Sequence, residues 1–147
     1  NRVVKAALVN KRIPEFALYS QCFPETKYGN SRIDFMLQEN GAPDIYIEVK
    51  SVTLAEGKTA QFPDTVTARG LKHCLELATI AARGYKACLF FCIQRENINK
   101  FSIAKAIDPK YAEAFEYAKE NGVIIMAYQC RMDKRGIELG SRIAITS

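Results

Sequence analysis

Residues 31–53, SRIDFMLQENGAPDIYIEVKSVT, hold acids and bases at a spacing that suits phosphoryl chemistry. Two runs alternate apolar and polar residues about a turn. Ile33, Phe35 and Leu37 share one face of the first run, with Arg32, Asp34, Met36 and Gln38 on the other. In the second run Ile45, Ile47 and Val49 share a face, leaving Tyr46, Glu48 and Lys50 opposite. Such period-two patterning marks half-buried strands. Asn40-Gly41 offers the positive φ of a tight hairpin, and Pro43 marks where pairing starts. A loop over residues 40–42 sets Glu39 opposite Pro43, hence Asp34 opposite Glu48 and Arg32 opposite Lys50. Like charges face to face destabilise a ladder. Converging carboxylates instead suit a divalent cation with oxygen ligands, and the neighbouring cations suit a phosphate. Diagonal Arg32–Glu48 contacts would relieve part of the conflict.

The chemistry that fits is metal-assisted phosphodiester hydrolysis. Asp34 and Glu48 would hold Mg2+ or Mn2+, which polarises a phosphoryl oxygen and acidifies a bound water. Lys50, two residues on and therefore on the same face, would position that water or stabilise developing charge. An acid, a gap and then Glu-x-Lys resembles the PD-(D/E)XK nuclease signature, although Glu-x-Lys alone is common on solvated strands.

The elements that must position these residues come from one domain's length of chain, 147 residues. The net charge of +5 favours an anionic partner such as nucleic acid. No apolar run reaches the length of a membrane span, and no signal peptide is visible. Asn1 in place of an initiator Met suggests a fragment lacking an upstream part. Cys22, Cys74, Cys88, Cys92 and Cys130 are scattered, and His73 is the sole histidine. That spacing argues against zinc and for buried thiols in a reducing cytoplasm.

Along the chain, residues 1–10 read as a short helix with Asn1 at its N-cap. Residues 23–28 form an edge strand beside the hairpin if regular, which would bring Glu25 toward Asp34 and Glu48. Residues 55–62 read as an exposed loop. Asp64 would cap a helix running through Ala82, stopped by Gly84. On it Leu71, Cys74, Leu75, Ala78 and Ala82 fall on one side, and Arg69, Lys72, Glu76 and Arg83 on another, with His73 beside them. Following the Glu-x-Lys strand directly, this helix would bring Arg69, Lys72 and His73 near phosphates. Phosphate contact or structural support suits His73 better than a general base. Residues 86–94 read as a strand buried on both faces, and 95–106 as a polar loop. Asp108-Pro109 opens a second long helix closed by Asn121-Gly122. Residues 123–128 form another buried strand and 137–145 a terminal one. The sum is an α/β fold, a three-layer α/β/α sandwich on a mixed central sheet, with the element order of restriction-endonuclease-like domains.

The segments KYGNSRIDF (27–35), YIEVKSVTL (46–54) and FPDTVTARGLKHCLEL (62–77) resemble the sugar fermentation stimulation protein A (SfsA) family over nearly the whole chain. Thr65 and Cys74 depart from the more usual Ala and Leu. The resemblance implies a PD-(D/E)XK nuclease-like domain over residues 1–147, normally preceded by an OB-like barrel; of these two parts this chain is expected to hold only the second. It implies metal ligands Asp34 and Glu48, catalytic Asp34, Glu48 and Lys50 with Glu25 as an extra acid, and Mg2+ or Mn2+ as cofactor. It further implies DNA binding without sequence preference, for which the basic residues Lys27, Arg32, Arg69, Lys72 and His73 are the candidate contacts. A metal-dependent DNA phosphodiesterase is the leading expectation. The alternative is a non-catalytic DNA-binding regulator linked to sugar (maltose) metabolism. A homodimer is an admissible state for either.

Overall fold

Gly41, at φ +81°, reverses the chain between β2 (Ser31–Gln38) and β3 (Ile45–Val52), which run antiparallel. The structure, a computed structural model, describes residues 1–146. Phe35–Ile47, Met36–Tyr46 and Leu37–Ile45 are paired, the register expected from the turn length. The ladder stops there, so the expected Arg32–Lys50 rung does not form. On its other side Arg32 pairs with Lys27 of β1 (Gln21–Tyr28), the edge strand outside β2.

The reason is a corner. Glu25, between the Pro24–Phe35 and Thr26–Ile33 pairs, has φ +50°, and beyond it the β1–β2 arm curls across the sheet. The Tyr28 ring comes to 5.3 Å from that of Tyr46, and the Tyr28 hydroxyl accepts a 2.9 Å hydrogen bond from Arg83. Ile33 consequently packs with Tyr46 and Val52 rather than with Phe35 and Leu37, against the strict alternation.

β6 (Lys86–Ile93) and β8 (Ile124–Asp133) extend the sheet in parallel from β3, and β9 (Gly136–Arg142) closes it antiparallel, in the order β1-β2-β3-β6-β8-β9. From Ala87 onward β6 is buried throughout, as a central strand should be. Residues 55–62 are not a loop. They contribute to a hairpin of β4 (Leu54–Glu56) and β5 (Thr59–Phe62). Residues 95–106 likewise hold β7 (Lys100–Ile103), parallel to β5, and β10 (Ala144–Thr146) completes a second sheet of order β10-β7-β5-β4. These strands are too short to show a period. What fixes them is burial of Ala60 and Phe101 against residues distant in sequence.

Among the described residues three α-helices flank the sheets: α1 (Arg2–Val9), α2 (Ala68–Ala82) and α3 (Pro109–Glu120). Asp108 caps α3 as expected, accepting the Tyr111 N–H at 3.0 Å. The cap of α2 is Thr67, not Asp64: its hydroxyl accepts the Gly70 N–H at 2.9 Å. Thr67 is held there because its own N–H donates to Asp108 at 2.9 Å, so one buried carboxylate starts both helices. The buried stripe of α2 is also rotated from expectation. Leu77 and Ile80 are buried, whereas Leu75 and Ala82 are exposed. α2, α3 and the small sheet cover one face of the large sheet through Leu77, Phe91, Phe101 and Tyr111. α1 and a turn at Pro14–Phe16 cover the other through Val4, Leu8, Phe16, Phe35, Ile47 and Phe90. This is the three-layer restriction-endonuclease-like arrangement, stabilised by roughly 1.5–3 kcal/mol for each fully buried large apolar side chain. Cys74, Cys88, Cys92 and Cys130 are buried free thiols, and burial pushes Cys74 up to about 11. No helix is long and apolar enough to cross a membrane among the described residues.

Candidate metal and phosphate site

The site lies where β2 parts from β3. Past the last rung, carboxylate oxygens replace carbonyls as acceptors: the Val49 N–H donates to Asp34 Oδ2 at 2.8 Å and the Asp34 N–H to Glu48 Oε1 at 3.2 Å. Each acid thereby satisfies an amide that the diverging strands would otherwise leave unpaired. Asp34 and Glu48 converge as the register requires. Asn1 adds a third donor, its side-chain amide meeting Asp34 Oδ1 at 2.9 Å. Asn1 stands at the N-cap of α1 but makes no side-chain capping bond; its Nδ2 donates to Asp34 instead.

Glu48 is 3% exposed, and an unpaired carboxylate so deeply buried would cost several kcal/mol. It is paired. His73, on the sheet-facing side of α2, brings Nδ1 to 2.9 Å from Glu48 Oε2. Lys50 Nζ lies 2.6 Å from the same Nδ1 and 3.8 Å from Glu48 Oε2. Burial would raise the Glu48 carboxyl, but the His73 hydrogen bond and charge, Lys50 and the Asp34 amide together hold it below its ordinary value. Asp34 is raised, first by burial and further by the Glu48 charge, against the Val49 amide. Lys50 is lowered, chiefly by burial and also by the Arg69 charge, with Glu48 opposing. Burial and the Glu48 charge thus favour the neutral form of Asp34, and a divalent cation held there would favour the charged one.

The donor set fits a hard cation with oxygen ligands. Among the described residues no cluster of three or more His, Cys, Asp or Glu could close around a metal. Two carboxylates with the remaining positions left to water and phosphate oxygens is the mode Mg2+ favours. Asp34, Glu48 and Lys50 are thus brought together. Glu25 is not joined to them: it is exposed at the β1 corner, and its side chain makes no hydrogen bond or ion pair among the described residues. Arg69 and Lys72 are exposed on α2, with Arg69 one turn before His73. Lys27 and Arg32 lie exposed on the curled arm. His73 is 7% exposed and turned inward, away from the surface expected of a phosphate contact. Its helical phase with Leu77 and Ile80 was the signal for this. Nothing in the sequence pointed to Asn1 as a partner of Asp34.

Sheet order, layers and the acid pair at the strand divergence define a restriction-endonuclease-like domain. Residues 1–136 match the description "Sugar fermentation stimulation protein RE domain". The chain belongs to the SfsA family. It is similar to the solved structure of Pyrococcus furiosus SfsA in complex with Ca2+, with 30% sequence identity and a TM-score of 0.87. The match covers 98% of this chain and 62% of that one.

Proposed function

We propose that this domain is a Mg2+- or Mn2+-dependent DNA phosphodiesterase that binds DNA without sequence preference. The observation that carries the reading is the opposition of Asp34 and Glu48, bridged through the Asp34 and Val49 amides, with Lys50 beside them. Asp34 and Glu48 would hold the cation, which when bound supplies Lewis acidity at a phosphoryl oxygen. Lys50 delivers an ammonium or amine, according to its lowered pKa, to the attacking water or the developing charge. Arg69, exposed and close enough to perturb Lys50, receives a substrate phosphate at the rim. The Ca2+ of the Pyrococcus furiosus SfsA structure is in keeping with an oxygen-rich divalent site in this fold. Free buried thiols accord with the reducing cytoplasm, where DNA is also present. Incubation with plasmid and linear DNA in Mg2+ or Mn2+ tests the reading: cleavage should occur and vanish in Asp34→Asn and Glu48→Gln. Cleavage that survives both substitutions excludes this site.

A second reading, a DNA-binding protein without turnover, is favoured by one observation. Lys27, Arg32, Arg69 and Lys72 are exposed, and none is ion-paired among the described residues. Salt-sensitive DNA binding without cleavage in either metal would select it.

A further inference from the structure

We infer that His73 is the positioning residue of the cation pocket, orienting the second oxygen of Glu48 and the Lys50 side chain from α2. This rests on the proposed reading of Asp34 and Glu48 as cation ligands and deepens it.

Three observations carry the inference. Glu48 Oε1 is held by the Asp34 amide at 3.2 Å, and Oε2 is held by His73 Nδ1 at 2.9 Å. The plane of the carboxylate is therefore fixed from two separate elements, a strand and a helix. Next, Lys50 Nζ lies 2.6 Å from the same Nδ1 and farther, 3.8 Å, from Glu48 Oε2. His73 Nδ1 thus lies nearer the lysine than Glu48 does, and the Lys50–Glu48 ion pair stays long. Last, His73 is buried on the same helix face as Leu77 and Ile80, so its ring faces the interior and not a phosphate on the surface.

The direction of the effect follows. A lysine ammonium is a compact charge on a flexible stem. Without the imidazole, Lys50 closes onto Glu48 Oε2 and competes with a divalent cation for it. Glu48 also loses one of the two contacts that orient it. Groups that orient a metal ligand are typically worth about 10–100-fold in metal affinity.

The test is Mn2+ binding by isothermal titration calorimetry, with circular dichroism melts as a control for folding. His73→Ala should weaken Mn2+ binding by about tenfold or more. His73→Asn sets an amide near the Nδ1 position and should restore most of the affinity. His73→Gln, whose amide reaches the Nε2 position, should not. A merely structural histidine would predict no difference between these two amides at equal thermal stability. The Asn and Gln variants carry the comparison if the Ala variant fails to fold. Unchanged affinity in His73→Ala, or equal rescue by Asn and Gln, overturns the assignment while Asp34→Asn still abolishes binding. Failure of the wild-type protein to bind Mn2+, or binding indifferent to Asp34→Asn, overturns the cation site and this inference together.

Discussion

The Val49 amide donates to Asp34 Oδ2 at 2.8 Å, so a side-chain carboxylate ends the β2–β3 ladder where a carbonyl would otherwise continue it. The strands can part because their polar groups remain satisfied. Their parting opens a gap with an acid on each side. Structure and proposed chemistry thus draw on the same oxygens, and substitutions there should separate stability from activity.

Asp34→Asn should raise thermal stability at neutral pH while abolishing divalent-cation binding. The folded-state pKa of Asp34 lies above its unfolded value, chiefly through burial. Its ionisation therefore costs folding free energy, a penalty that develops as pH rises from the unfolded through the folded pKa and is absent below both. The gain in Tm should shrink toward zero in acid, measured by thermal melts across pH without metal. A variant less stable than wild type at neutral pH contradicts this account.

Lys50→Ala should lower the cleavage rate by roughly 100–1,000-fold, the scale of losing one donor to developing charge. DNA affinity should stay close to wild type, because Lys50 is half-buried and already engaged with Glu48 and His73. Single-turnover kinetics alongside a binding titration measure the split. A loss confined to affinity would assign Lys50 to substrate binding.

The salt dependence of DNA binding should distinguish cations that are free from those already paired. Each phosphate contact contributes about 0.9 to the slope of log affinity against log salt. Arg69→Ala or Arg32→Ala should reduce the slope by about that amount. Arg12→Ala should leave it unchanged, because Arg12 is engaged by Glu138 at 3.1 Å.

Gly70→Ala should destabilise the fold by about 1 kcal/mol, although alanine is the better helix former by about that much. A Cβ at Gly70 would lie 2.8 Å from Thr67 Cγ2 and 3.1 Å from the Tyr111 ring. Relief requires Thr67 to rotate, which gives up the α2 cap, and Tyr111 to shift within the core. Urea unfolding reads the difference, and a stabilised variant would mean that Thr67 is not bound in this way.

Glu15→Gln should destabilise at neutral pH, with the difference disappearing in acid. Burial pushes the Glu15 carboxyl up, but its own backbone amide, the Tyr128 hydroxyl and the Arg142 guanidinium together hold it below its ordinary value. A depressed folded pKa means that the contribution is present above the unfolded pKa and lost as pH falls through the folded one. Tyr128 donates to Oε1 at 2.8 Å and Arg142 binds Oε2, so the carboxylate joins β8 and β9 to the turn after α1. Equilibrium unfolding at neutral and acidic pH checks the convergence.

Residues 31–53 alone were enough to set Asp34 against Glu48 and Lys50 beside Glu48, because strand parity and turn length are local properties that fix register. The Asp108-Pro109 helix start was legible for the same reason: a cap and its N–H partner lie within one turn. Other features were decided only when distant segments met. Thr67 displaced Asp64 as a cap because Asp108 held its amide. The four-stranded sheet formed because Ala60 and Phe101 found burial together. The β1–β2 arm turned at Glu25, ending the β2–β3 ladder before Arg32 and carrying Ile33 across to the other face. His73 followed the same logic, with the packing of α2 on the sheet aiming it at Glu48 and Lys50 instead of at solvent. Periodicity reports which residues seek burial, whereas the direction a buried polar group faces depends on partners that adjoin it only in the folded chain.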